Sequence, residues 1–93
     1  MSDISITQAH AMSLATARAA AQKVADRMAQ DYEISSEWDG DVLSFRRSGV
    51  NGTLAVGAHE ARLDITLGFM LKGFAGAIQE KVAHNMQKVF GAA

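Results

Sequence analysis

Ninety-three residues, 48% of them hydrophobic and 20% charged, match one small folded domain rather than a disordered tail, so residues 1–93 are expected to form a single α+β domain. Nine basic residues against ten acidic give a net charge of -1, and Arg46-Arg47 is the only adjacent basic pair, which argues against a nucleic-acid binder. The absence of cysteine excludes disulfides, thiolate metal ligands and thiol nucleophiles.

The chain opens on Met1-Ser2-Asp3-Ile4-Ser5-Ile6, which has neither the basic start nor the apolar run of a secretion signal. No later apolar run is long enough to span a bilayer, so a cytoplasmic protein without a membrane span is expected. Ile4 and Ile6 alternate with polar neighbours and predict a short strand from Asp3 to Thr7. From Ala9 to Asp31 the apolar positions Leu14, Ala17, Ala21, Val24, Ala25 and Met28 recur at helical spacing, with Thr7 as the expected N-cap. The alanines favour helix and allow close approach to a sheet.

Tyr32 to Trp38 reads with period two, Ile34 and Trp38 on one face, and Asp39-Gly40-Asp41 is a turn signal. Leu43 and Phe45 continue the apolar face up to a second turn over Ser48-Gly49-Val50-Asn51-Gly52. Leu54 and Val56 begin the next strand, Gly57-Ala58-His59-Glu60 turns the chain, and Ala61, Leu63, Ile65 and Leu67 alternate with polar residues. Such alternation in four successive strands predicts an antiparallel sheet with one face buried, which both helices must share. The second helix runs from Phe69 or Leu71 to Phe90, with Phe74, Ile78, Val82, Met86 and Val89 as its core stripe and Gly91 as terminator. Gly73 and Gly76 weaken its first turns and imply a kink or a close contact with the sheet. The predicted order is β-α-β-β-β-β-α.

Residues able to carry chemistry are sparse. His10, His59 and His84 lie far apart with no metal-ligand spacing, so no metal site is expected. Asp39 and Asp41 flank a turn glycine, where aspartate serves local backbone hydrogen bonds. Gly68 to Gly76 lacks the Gly-Lys-Ser/Thr ending of a phosphate loop, and Ser48-Gly49 lacks the frame of a nucleophile elbow. Asn51-Gly52-Thr53 matches a glycosylation sequon but reads as part of a turn. No catalytic residue and no cofactor are therefore assigned. Phe69-Met70-Leu71, followed closely by Phe74, is too apolar for one helix face. The run is expected to complete the core where helix meets sheet; its alternative is an exposed apolar patch, with Met70 the residue to point outward.

His10 before the alanine-rich helix, Trp38-Asp39-Gly40-Asp41, Phe45 to Leu54 and Leu67-Gly68-Phe69-Met70-Leu71 together resemble the polyhydroxyalkanoic acid system proteins over nearly the whole chain. The most specific stretch is carried by Phe45, Arg47, Ser48, Gly49, Val50, Gly52, Thr53 and Leu54. The resemblance implies a bacterial protein encoded near polyester-storage genes, with a granule-region or regulatory role and no established activity. Physically the stretch reads as hairpin hardware: Gly49 and Gly52 permit positive φ, Thr53 and Leu54 restart the strand, and Arg47 lies on the core side with its charge reaching water.

The predicted order also resembles part of the helix-grip folds, which hold apolar ligands between sheet and C-terminal helix. Two functions follow as expectations. One is a non-enzymatic protein of the polyhydroxyalkanoate granule system, binding the granule, a granule-associated protein or a second copy through Phe69, Met70 and the second helix. The other is a small carrier of an acyl or other lipidic ligand in a sheet-helix cleft. A thin core, burying only about two-thirds of the unfolded surface, makes a homodimer a natural way to cover apolar area.

Overall fold

The computed structural model describes residues 3–91; residues 1, 2, 92 and 93, the ends of the expected domain, lie outside the described residues. Its elements run β1 (Ile4–Ala9), α1 (Leu14–Tyr32), β2 (Ser35–Asp39), β3 (Val42–Arg47), β4 (Val50–Val56), β5 (Glu60–Leu67), a 3-10 helix (Phe69–Phe74) and α2 (Ala75–Phe90). The β-α-β-β-β-β-α order and the α+β class are those predicted. The strands form one antiparallel sheet in the order β1-β5-β4-β3-β2, so the meander β2 to β5 is closed at one edge by β1.

Register sorts the side chains by face. Trp38, Leu43, Leu54, Leu63 and Ile6 form one cross-strand row; Ser36, Phe45, Gly52, Ile65 and Ile4 form the next; Arg47, Val50 and Leu67 form the third. These rows face the helices, and nearly all their apolar members are buried together with Ala17, Ala20, Ala21, Val24, Ala25 and Met28 of α1 and Val82, Met86 and Phe90 of α2. Four buried alanines let the α1 backbone lie close to the sheet, while the larger side chains of the strands fill the layer. The opposite face, with Ser5, Thr7, Arg62, Asp64, Thr66, Asn51, Thr53 and Ser44, is polar and carries no helix.

Several boundaries differ from expectation, each for a local reason. β1 continues to Ala9, paired with Glu60, and α1 begins only at Leu14, because Ser13, not Thr7, accepts the Thr16 N–H through its side chain. The helix keeps Tyr32 and stops at Glu33, whose φ of 57 is a left-handed cap, so β2 starts at Ser35 rather than Tyr32. The second hairpin turn is only Ser48-Gly49. Asn51, Gly52 and Thr53 are already strand, paired with Arg46, Phe45 and Ser44. Gly49 has a φ of 82, whereas Gly52 has no positive φ and is needed for space: a Cβ there would meet the Asp64 carbonyl oxygen at 2.8 Å and Ile65 Cγ1 at 2.9 Å.

The C-terminal helix is also corrected. It starts as a 3-10 helix, and Cβ atoms at Gly73 or Gly76 would meet nothing within 4 Å, so neither glycine marks a close contact with the sheet. The close approach is instead Gly68 to Gly49, where the Gly68 N–H donates to the Gly49 carbonyl at 2.7 Å. Phe74 leaves the expected core stripe, being 60% exposed, and Phe90, one residue beyond Val89, is fully buried. The 3-10 segment takes Phe74 off the stripe, because its side chains repeat every three residues, out of phase with the helix that follows, while Phe90 continues the Val82 and Met86 spacing.

Candidate functional site

Where α1, α2 and the 3-10 helix converge over the third cross-strand row, the core layer does not close. An open cleft of about 300 Å³ remains, overwhelmingly apolar in its lining. Its floor is Val50, Ile65 and Leu67 from the sheet with Ile34 from the α1–β2 link, and Met28 with Tyr32 forms the α1 wall. Leu71 and Phe74 come from the 3-10 helix, Ala77, Ile78 and Lys81 from α2, and Arg47 from the end of β3. The floor residues are buried, whereas Arg47, Phe74, Ala77 and Lys81 are exposed and make the rim.

The rim carries the charge. Arg47 Nη1 donates to the Tyr32 carbonyl oxygen at 2.7 Å, which ties the β3 end to the last turn of α1 and satisfies one of the carbonyls a helix C-terminus leaves open. Among the described residues Arg47 has no carboxylate within ion-pair distance. Lys81 lies 3.3 Å from Asp31 and 5.7 Å from the Tyr32 ring centroid, linking α2 to α1. Desolvation pushes the Asp31 carboxyl upward, but hydrogen bonds and charge from Arg27 and Lys81 outweigh it and hold the group below the ordinary carboxylate value. Asp31 and Lys81 also line a second depression of about 200 Å³, with Met28 and Val82 at its base side and Arg27, His84, Asn85 and Lys88 around it.

Beside the cleft, Phe69 and Met70 are 90% and 84% exposed, and the 3-10 helix buries none of its residues. The core-completing expectation for this run therefore fails for Phe69, Met70 and Phe74 and holds only in part for Leu71, which packs against the core margin. The seat of the segment is the β3–β4 turn: Gly49 receives the Gly68 amide, and the Leu71 side chain lies 3.4 Å from where a Gly49 Cβ would stand.

The other residues singled out in the sequence are dispersed. His10 is buried, its ring 5.8 Å from that of Phe90. Its Nδ1 accepts the Met12 N–H at 3.1 Å, so Nε2 carries the proton and donates to the Gly57 carbonyl oxygen at 2.9 Å. Trp38 Nε1 donates to Gln22 Oε1 at 2.8 Å, and the Arg18 guanidinium lies 4.7 Å from its ring centroid. Phe45 is core, packed over the Gly52 row; Ser48 is an exposed turn residue; Thr53 stands on the uncovered sheet face. Of the residues that carry the resemblance or the candidate patch, Arg47, Val50, Leu67, Leu71 and Phe74 meet at the cleft. Lys81, Tyr32 and Met28 were missed there, although Lys81 follows Phe74 and Ile78 at helical spacing.

No helix among the described residues is long and apolar enough to cross a membrane. Comparison with curated proteins and with solved structures gives no match for this chain. The model of the polyhydroxyalkanoic acid system protein family, the granule-region family, matches residues 4–90, which takes in every strand and both helices. The chain belongs to the polyhydroxyalkanoic acid system protein family.

Proposed function

We propose that this chain is a non-enzymatic, cytoplasmic protein of the polyhydroxyalkanoate storage system that docks on the granule surface, or on a protein coating it, through Phe69, Met70 and Phe74. The observation that carries the reading is the exposure of these three large apolar side chains on one six-residue segment. Isolated apolar side chains on a surface are ordinary, but three large ones exposed on one short segment are apolar area that water disfavours and an apolar surface would cover. Family membership supplies the granule context. The balanced charge turns the reading away from nucleic acid.

Co-sedimentation with isolated granules tests it. Burying one large apolar side chain contributes about 1.5–3 kcal/mol, so Met70→Asp should weaken saturable pelleting by roughly tenfold or more while the circular dichroism spectrum and Tm stay unchanged. Undiminished pelleting of a folded Met70→Asp protein defeats the reading. A second copy of the chain is the competing occupant of this edge. If sedimentation velocity shows a dimer that Met70→Asp dissociates, with pelleting unaffected, the edge is a dimer face.

A second reading, a carrier of an acyl or other lipidic ligand, is favoured by one observation: the apolar cleft of about 300 Å³ between sheet and helices.

A further inference from the structure

Resting on the carrier reading rather than on granule docking, we infer that the cleft binds an amphiphile with an alkyl tail and a carboxylate head, the tail lying over Ile65 and Leu67 and the head on Arg47.

Three observations converge on this chemistry. The floor is made of buried aliphatic side chains without a polar group that could hold a sugar, base or peptide, so the inner end of the ligand must be hydrocarbon. Both cations of the lining stand on the exposed rim, so the charged end must be anionic and must lie at the mouth. The two cations are not equivalent. Lys81 is already held by Asp31 at 3.3 Å, whereas Arg47 spends one N–H on the Tyr32 carbonyl oxygen and has no carboxylate partner among the described residues. A planar guanidinium with donors to spare takes a carboxylate through two parallel hydrogen bonds, so Arg47 is the clamp and Lys81 adds charge beside it. Tyr32 presents its carbonyl to Arg47 and its ring to Lys81, and so holds both cations at the same mouth.

Titration calorimetry of the intact protein, without granules, with butanoate, octanoate, dodecanoate and neutral octanol is the test. Affinity should rise about fourfold per added methylene until the cleft is full. Octanoate should bind roughly ten- to hundredfold tighter than octanol, and Arg47→Leu should erase that difference. Methyl NMR of the native protein supplies the arm that needs no variant: octanoate should shift Ile34, Ile65 and Ile78, which line the cleft, and leave Ile6 unmoved. Octanol binding as tightly as octanoate overturns the carboxylate assignment while leaving a lipid carrier standing. No binding by any of the probes, or shifts spread over the molecule, overturns both.

Discussion

His10 Nε2 donates to the carbonyl oxygen of Gly57 across 47 residues of sequence, at 2.9 Å. The same ring accepts the Met12 N–H, and the His10 backbone N–H donates to the His59 carbonyl at 2.9 Å. One buried imidazole therefore fastens the end of β1, the β4–β5 turn and the approach to α1, with Phe90 of α2 against its face. Its place in the family-like pattern is accounted for by this joint.

His10→Ala should cost about 1–3 kcal/mol, because it strands a partly buried carbonyl and a backbone N–H at once. Urea denaturation measures this directly. A loss below a few tenths of a kcal/mol would mean that water replaces the ring without penalty.

Gly52 and Gly76 should respond to alanine in opposite directions. A Gly52 Cβ would meet backbone and a buried isoleucine at 2.8 and 2.9 Å, so Gly52→Ala should destabilise by about 1–3 kcal/mol or more. At Gly76, inside α2 and with nothing within 4 Å, alanine should stabilise by about 0.4–1 kcal/mol. Thermal melts of the two variants decide it, and equal shifts would contradict the packing around Gly52.

The two phenylalanines of the C-terminal stretch are a matched test of where the core lies. Phe90→Ala should cost about 3–5 kcal/mol, and Phe74→Ala should stay within about 0.5 kcal/mol. Comparable losses would put Phe74 back into the core.

Asp31 links pH to the joint between the helices. Its folded-state value lies below the ordinary 3.8, so its contribution is present above that value and is lost as pH falls through the depressed one. Asp31→Asn should lower Tm at neutral pH, and the gap from the parent protein should close in acid. A gap that persists unchanged in acid would show that the Arg27 and Lys81 pairing does not stabilise the fold.

Much of the fold was legible because strand alternation and helix periodicity are local properties. Ile34 and Trp38, Leu43 and Phe45, and Leu63 with Ile65 each declare a face within a few residues, and a sheet buried on one side follows. Boundaries were less legible, since a cap such as Ser13 or a left-handed Glu33 competes with continuing periodicity on small energy differences. In the last helix the stripe of Ile78, Val82, Met86 and Val89 was legible and Phe90 extends it, whereas Phe74 falls off it because the 3-10 start does not keep α-helical spacing.

The candidate cleft belongs to the other category. By itself the sequence determined the β-α-β-β-β-β-α order, the buried face of each strand and the family resemblance. The tertiary structure decided that Arg47, Tyr32 and Lys81 share one mouth, that Phe69 and Met70 stay outside, and that Gly52 is a space requirement rather than a turn. The reason is physical: periodicity reports which side of an element is apolar, whereas a cavity exists only where three elements meet and fail to fill the volume between them.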